Sequence, residues 1–192
     1  MDMLKIEKEY WDKGIKYIAG IDEAGRGPLA GPVVAACVIF KPNTFIAGIK
    51  DSKKISEKKR ISLYTQIYDK ALAVKVGIID HEKIDKINIL QATFLAMNKS
   101  LGLLNIKPEL VMIDGPKSNV KLFPVKHIVN GDNLSQTIAA ASIVAKVTRD
   151  NMMYEFDKIF PEYFFSKNKG YGTKVHIEAI NLHKATPLHR KS

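Results

Sequence analysis

The stretch that decides the fold is YIAGIDEAGRGPLAGPVVAACVIF, residues 17–40. It contains two apolar runs, residues 17–21 and residues 33–40, and the second is rich in β-branched side chains that favour strands. Three glycines and two prolines lie between the runs, and these residue types turn the chain. The stretch therefore predicts two strands joined by a tight turn, with Asp22 and Glu23 directly after the first strand.

The rest of the chain mixes strand-like and helix-like patterns. Apolar runs predict further strands over residues 72–79, 110–113 and 125–129. Helical spacing predicts helices over residues 3–13, 56–71, 88–104 and 173–184, and a long helix that Asp132 or Asn133 caps. With no linker and no internal repeat, the sequence predicts one α/β domain in which helices flank a mixed sheet.

The composition excludes several classes of protein. Hydrophobic residues make up 46% of the 192 residues, which excludes a disordered basic tail. No apolar run reaches the roughly 18 residues that span a membrane, and residues 1–16 lack the apolar core of a secretion signal. A single cysteine, Cys37, rules out an internal disulfide and a cysteine-rich zinc site. We therefore expect a reducing environment and a cytoplasmic location.

The charge is strongly basic, with 30 Lys and Arg against 20 Asp and Glu and a formal net charge of +10. All but four of the cations are lysines, and lysines that neutralise phosphates release counterions from a nucleic acid. The same excess also fits a solvated lysine surface with no partner. Charge alone therefore leaves nucleic-acid binding open and says nothing about chemistry.

Four acidic residues lie at the ends of apolar elements rather than in lysine-rich stretches. Asp22 and Glu23 follow the first strand, Asp114 follows residues 110–113, and Asp150 lies at the end of the long helix. Acids in such places are costly to desolvate unless they are paired or hold a metal. Because successive strand residues point to opposite faces, Asp22 and Glu23 serve one site only if the chain bends or one uses its backbone carbonyl.

Carboxylates from separate segments, without cysteine or an obvious histidine partner, favour hard cations such as Mg²⁺ or Mn²⁺ over zinc. In a basic protein this combination points to phosphodiester chemistry with two metal ions. The spacing alone is a weak signal, because Asp80 also follows a predicted strand and because helix caps and turns explain any single acid equally well.

The glycine turn has a competing interpretation. Residues 25–30 match the dinucleotide-binding pattern G-x-G-x-x-A, which requires the glycines to open a helix. Pro28 and Pro32 interrupt the turn, a β-branched run follows it and two acids precede it, so we reject this interpretation. A tight turn that brings peptide groups close to a ligand fits better, with a plain hairpin as the alternative. Arg26 in this turn suits contacts with phosphate or sugar.

Seven motifs together resemble the type 2 ribonucleases H, in their bacterial ribonuclease HII form. They are IDEAGRGPLAGPVVAA (residues 21–36), DSKK (51–54), IDKINILQAT (84–93), MIDGP (112–116), GDNLSQTIAAASIVAKVTRD (131–150), GYGTKVH (170–176) and TPLHR (186–190). They follow the family's order and span almost the whole chain. The resemblance implies a ribonuclease H-like fold in which residues 1–192 form a single catalytic domain, with a helical C-terminal part over about residues 152–192.

The resemblance also implies a metal-dependent endoribonuclease that acts on nucleic-acid duplexes. Such an enzyme cuts the RNA strand of RNA–DNA hybrids and the 5′ side of single ribonucleotides embedded in duplex DNA, leaving 5′-phosphate and 3′-hydroxyl ends. Two divalent ions, Mg²⁺ or Mn²⁺, serve as its cofactors, and ribonucleotide excision repair and DNA replication are its setting. We expect a monomer with no membrane partner, and no tail that binds a sliding clamp is evident.

The family's functional residues fall on individual positions of this chain. Its four catalytic and metal-binding acids correspond to Asp22, Glu23, Asp114 and Asp150. Its turn that senses the ribose 2′-hydroxyl corresponds to Gly25, Arg26 and Gly27. The resemblance also assigns substrate-binding roles to Tyr171, which would stack at the RNA–DNA junction, and to Lys53, which would contact phosphate.

Several residues lie outside this assignment. Asp80 has no catalytic counterpart in the family, and Asp132 belongs to a family motif but is expected to cap the long helix. His176 is expected to be structural, and Cys37 to be a small buried hydrophobic residue. Two alternatives stay open: a hybrid nuclease without activity at single ribonucleotides, and a non-catalytic basic module whose acids only cap structure.

Overall fold

The structure is a computed structural model that describes residues 2–50, 52 and 55–192. Five strands form one mixed sheet: β1 (Ile18–Ala24), β2 (Val33–Phe40), β3 (Ala71–Ile79), β4 (Leu110–Asp114) and β5 (Val125–Ile128). Their order across the sheet is β3-β2-β1-β4-β5. The first three strands are antiparallel, whereas β4 and β5 run parallel to β1. The predicted α/β fold with a mixed sheet is confirmed.

The helices are α1 (Lys5–Trp11), α2 (Glu57–Lys70), α3 (His81–Gly102), α4 (Gln136–Ile159), α5 (Phe165–Asn168) and α6 (Lys174–His183). Asp80 caps the start of α3, because its side chain accepts a hydrogen bond from the Lys83 amide at 2.8 Å. The helix breaks at Asn88, whose φ is 65°, so the helix predicted from residue 88 is the second segment of α3.

The cap predicted for the long helix is wrong. Ser135, not Asp132 or Asn133, caps α4 and accepts a hydrogen bond from the Ile138 amide at 3.2 Å. The two predicted residues lie instead in a short 3-10 turn, Gly131–Asn133, between β5 and α4. The Asp132 side chain therefore does not cap α4.

The sheet lies between α3 on one face and α4 on the other. Odd-numbered residues of β1, such as Ile21, pack with the buried face of α3. Gly20 faces α4, and a Cβ at this position would lie 2.4 Å from the Thr137 carbonyl carbon. Glycine therefore lets the backbone of α4 approach the centre of the sheet, and α4 crosses the strands that end in acids.

The C-terminal part returns to the turn between β1 and β2. It packs a small core of its own, which includes Met153, Tyr163 and Phe165. An isolated antiparallel bridge then joins His189 to Ala30 in the turn. The expected helical C-terminal part is confirmed. Within the described ranges, every helix is too short or too polar to cross a membrane.

Candidate active site

Asp22 and Asp114 lie at neighbouring positions near the carboxyl ends of two parallel strands, β1 and β4. The register pairs Ile21 of β1 with Ile113 of β4, so the next residue of each strand lies at the same edge of the sheet. Side chains alternate between the two faces of a strand, and Gly20 of β1 and Met112 of β4 face α4. Asp22 and Asp114 lie two residues further along these strands and therefore lie on the same face. Asp22 and Asp114 therefore lie side by side, as their positions after two apolar runs predict.

Asp132 is the third acid at this edge. One carboxylate oxygen from each of Asp22, Asp114 and Asp132 lies within 4.8 Å of the others, and this is the one such metal-competent group among the described residues. The Gly131 amide donates to Asp114 Oδ1 at 2.6 Å, which fixes the turn after β5 against β4. The chain thus brings together two carboxylates from the neighbouring strands β1 and β4 and one from the turn that follows β5.

Burial and like charge act together on Asp22, which is only 5% exposed. They raise its pKa well above the usual range, because burial disfavours the carboxylate and because Glu23 and Asp114 add negative charge. A hydrogen bond from the Ser142 hydroxyl and one from the Glu23 amide, at 2.7 Å, oppose this shift in part. A divalent cation would relieve the remaining repulsion, and three carboxylates offer the hard oxygen ligands that Mg²⁺ and Mn²⁺ prefer.

Glu23 lies beside this group but on the other face of β1. The strand continues to Ala24 without a bend, so the side chains of Asp22 and Glu23 point to opposite faces. The Glu23 side chain borders a recess lined by α3 residues such as Thr93, and its Oε1 lies 3.2 Å from Arg26 Nη1.

Asp150, the fourth acid that the resemblance predicts, lies within α4, which continues to Ile159, and not at the end of the helix as predicted. It is 6% exposed on α4, and its Oδ1 accepts a hydrogen bond from Lys146 Nζ at 2.7 Å. The group within 4.8 Å contains Asp132 and does not contain Asp150. Asp132 could have been found from the sequence, because it lies only three residues after the predicted strand over residues 125–129.

A groove of about 820 Å³ opens next to the acids. Its lining includes Glu23, Ser52, Arg60, Lys146, Tyr171 and the glycine turn over residues 25–27. Tyr171 is 42% exposed, and a Cβ added at Gly27 would lie 3.6 Å from its ring. Lys146 Nζ lies 5.9 Å from the centre of the same ring. The predicted turn and the predicted tyrosine therefore share one wall of the groove.

Arg149, a buried residue of α4, hydrogen-bonds the turn. The Arg149 guanidinium donates to the carbonyls of Ala30 at 3.0 Å and Pro32 at 2.9 Å. Gly25 has a φ of +101°, and a Cβ there would lie 2.3 Å from Arg149 Nε. The turn leads into the antiparallel strand β2 and not into a helix, which excludes the dinucleotide-binding arrangement.

The loop before α2 reaches the acids through two hydroxyl groups. Ser52 Oγ lies 2.9 Å from Ser142 Oγ, and Ser142 in turn hydrogen-bonds Asp22. Arg60 of α2 donates to the Ser52 carbonyl. Lys53, for which a phosphate contact is predicted, lies outside the described residues. The sequence interpretation missed Ser142, which sits in the alanine-rich motif of α4 without any spacing that marks it.

His176 and Cys37, for which the sequence predicts no role in the site, are both buried. His176 is fully buried and lies 2.8 Å from the Tyr171 carbonyl oxygen and 3.0 Å from His189. Cys37 is fully buried in β2, as predicted, and burial raises the pKa of its thiol. Neither residue is among the side chains that line the groove.

Comparison with known proteins gives a consistent result. The family model described as Ribonuclease HII matches residues 19–192. A ribonuclease HII from Rickettsia akari is 54% identical, with 100% of this chain and 97% of the relative covered. One from Acholeplasma laidlawii is 50% identical and covers 100% of this chain and 94% of the relative.

Solved structures agree with the fold. The ribonuclease HII in a complex with PCNA from Archaeoglobus fulgidus has a TM-score of 0.75 and 26% identity, covering 91% of this chain and 94% of that one. A ribonuclease HIII, Bst-RNase HIII, solved with Mn²⁺, has a TM-score of 0.65 and 16% identity, covering 88% and 70%. The chain belongs to the ribonuclease HII family and is an endoribonuclease that acts on the RNA strand of RNA–DNA hybrids.

Proposed function

We propose that this enzyme also cuts duplex DNA on the 5′ side of a single embedded ribonucleotide, and that it needs divalent metal ions to do so. The observation that carries the proposal is the meeting of Asp22, Asp114 and Asp132 beside a groove walled by residues 25–27 and Tyr171. The products would be a 5′-phosphate and a 3′-hydroxyl. Carboxylates next to a groove whose wall would contact the sugar suit this reaction better than binding alone.

The acids would hold two Mg²⁺ or Mn²⁺ ions. Asp22, Asp114 and Asp132 would supply carboxylates, and Glu23 would complete the site from the end of β1. The resemblance assigns the fourth acid to Asp150, but the distances favour Asp132 in that role. When bound, the ions supply an activated water and stabilise the leaving 3′ oxygen.

Side chains and peptide groups of the protein would determine the substrate specificity. Peptide groups of the turn at residues 25–27 would hydrogen-bond the ribose 2′-hydroxyl, and a DNA sugar would leave them unpaired. Tyr171 would stack beside the DNA sugar at the junction, with Lys146 next to it as a phosphate contact. Lys53 would add a further phosphate contact, and the general lysine excess would attract the duplex without sequence preference.

The proposal includes the setting of the reaction. Residues 1–192 would act as a single catalytic domain and as a monomer in the cytoplasm, and its substrates would be RNA–DNA hybrids and duplex DNA that contains ribonucleotides. The helical portion over about residues 152–192 would contribute Tyr171 to the groove.

The test is cleavage of duplex DNA that carries one ribonucleotide, compared with a continuous hybrid and with all-DNA duplex, in Mg²⁺, in Mn²⁺ and in excess EDTA. We expect metal-dependent cutting of the first two substrates and none of the third. Cutting of the hybrid alone would mean that the enzyme lacks single-ribonucleotide activity. Cutting that persists in EDTA would rule out the metal site.

A further inference from the structure

The motif TPLHR, residues 186–190, has no role in the site described so far, yet it touches the turn that would read the ribose. We propose that Arg190 is a positioning residue that holds this turn against Tyr171, and so sets the selectivity for ribonucleotides. The inference rests on the proposed function, because it explains how the turn at residues 25–27 keeps its peptide groups in place.

The contacts of Arg190 are concentrated on one short stretch. Its guanidinium donates to five backbone carbonyls, those of Gly25 (2.6 Å), Arg26 (3.2 Å), Pro28 (2.9 Å), Gly31 (2.8 Å) and Pro32 (3.2 Å). Its own backbone amide donates to the Leu29 carbonyl at 2.8 Å. One residue thus ties the two ends and the middle of the turn together.

This arrangement requires an arginine. A guanidinium presents five donors in a planar fork, whereas a lysine ammonium presents three donors from one atom and cannot span acceptors at both ends of the turn. Burial and the nearby Arg149 lower the pKa of Arg190 to about 10, and the group stays charged at neutral pH. Arg149 holds Ala30 and Pro32 from the side of α4, so the turn lies between two guanidinium groups.

The segment that carries Arg190 is itself anchored. On one side, the Gly31 amide donates to the Leu188 carbonyl at 2.9 Å. On the other side, Asp85 Oδ1 accepts hydrogen bonds from the amides of Lys191 at 2.9 Å and Ser192 at 3.1 Å. The guanidinium therefore extends from a fixed backbone, which is what a positioning role needs.

The proposed effect is separate from metal binding. The hydrogen bonds of the Arg190 side chain all go to carbonyls of residues 25–32 and none to Asp22, Asp114 or Asp132, within the described part of the chain. Loss of the clamp would shift the turn relative to the acids, and a displacement of about 1 Å can cost about 100-fold in rate. A single embedded ribonucleotide can bind productively in one register, whereas a continuous hybrid can bind in many. The cleavage rate should therefore fall more on the single-ribonucleotide duplex than on the hybrid.

The experiment compares Arg190→Lys and Arg190→Gln with Lys191→Gln, which removes one charge from an exposed neighbour and keeps its backbone amide. Amide hydrogen exchange over residues 25–31 measures the rigidity of the turn, and kcat and KM are measured on both substrates. For Arg190→Lys we expect faster exchange in the turn and a loss of kcat on the single-ribonucleotide duplex on the order of 10- to 100-fold. The loss on the hybrid should be smaller, and Lys191→Gln should behave like the wild type.

Each outcome decides something. Unchanged exchange in the turn of Arg190→Lys would overturn the clamp. Faster exchange with equal losses on the two substrates would show a structural role without positioning. If Arg190→Gln does not fold, Asp85→Asn provides a second variant, which weakens the anchor but keeps Arg190, and its turn should also exchange faster. If the wild type cuts only hybrids, the proposed function fails, whereas the exchange data still decide whether Arg190 clamps the turn.

Discussion

The acid cluster and the wall of the groove beside it are built in different ways. Two acids of the cluster come from adjacent parallel strands, where the register of β1 with β4 fixes which side chains meet, and Asp132 comes from the turn after β5. The wall formed by residues 25–32 is next to Asp22 in sequence but depends on two arginines more than a hundred residues later. Sheet geometry thus positions the chemistry, whereas long-range hydrogen bonds position the part that would recognise the sugar.

The sharpest way to test the acid cluster is to compare two aspartates. We expect Asp132→Asn to lower kcat by about 10³-fold or more, since metal-bound charge stabilisation is worth several kcal/mol. Asp150→Asn makes the same chemical change but breaks only the contact with Lys146, so we expect a loss within about tenfold. Cleavage rates at saturating substrate and Mg²⁺ provide the measurement.

Thermal melting provides the control for this pair. Without metal, Asp132→Asn should melt no lower than the wild type, because it removes a negative charge from a crowded group. Added Mg²⁺ should raise the melting temperature of the wild type more than that of Asp132→Asn. If Asp150→Asn lost as much activity as Asp132→Asn, the resemblance-based assignment would be right and the distance argument wrong.

The wall can be tested at Gly25. We expect Gly25→Ala to cost about 2 kcal/mol or more of unfolding free energy, because it combines a φ of +101° with a clash against Arg149. Cleavage at a single ribonucleotide should fall by about 100-fold as the turn shifts. Gly14→Ala is the matched control, since Gly14 has a φ of +88° but nothing within 4 Å of the added Cβ. Equal effects of the two variants in urea unfolding and in cleavage would refute the close-packing argument.

The same contrast explains what the sequence predicts and what it does not. Asp22 and Asp114 are predictable because an acid directly after a buried strand lies at the sheet edge, and parallel neighbours share that edge. The sequence predicts Asp132 as a helix cap because aspartate is a common cap residue, but Ser135, three residues later, offers the same capping chemistry and is the observed cap. The partners of Arg149 and Arg190 are not predictable, since no local pattern identifies which distant carbonyls a guanidinium will meet.

A smaller effect is expected at Tyr171, which lines the groove next to the turn at residues 25–27. Tyr171→Phe keeps the ring beside Gly27 and Lys146, so single-ribonucleotide cleavage should stay within about threefold of the wild type. Tyr171→Ala removes the stacking surface and should lower it by about tenfold, with a smaller loss on continuous hybrid. The ratio of kcat/KM on the two substrates is the quantity to compare. A ratio that Tyr171→Ala leaves unchanged would mean that the tyrosine does not read the junction.

The smallest expected effect concerns the histidine pair behind Tyr171. His189 Nδ1 accepts from the Thr186 amide at 2.9 Å, so its Nε2 carries the proton and donates to His176 Nε2 at 3.0 Å. His176 Nδ1 is then the donor to the Tyr171 carbonyl. This chain of bonds requires both rings to be neutral. Burial lowers the pKa of both histidines, and for His189 the neighbouring His176 adds to the shift.

The sign of the pH dependence follows from this direction. The unfolded chain takes up protons at the ordinary histidine pKa of about 6.5, whereas the folded pair takes them up at lower pH. The stabilisation is therefore complete above about pH 7 and is lost as the pH falls below 6.5. The glutamine of His189→Gln can accept a hydrogen bond from Thr186 and donate one to His176 without titrating. Between pH 7 and pH 5, the melting temperature of this variant should therefore fall by about 2 °C less than that of the wild type. If the melting temperatures of the two proteins fell equally with pH, the histidine pair would not be kept neutral by the fold. The hydrogen bond from His176 to the Tyr171 carbonyl would then survive protonation of the pair.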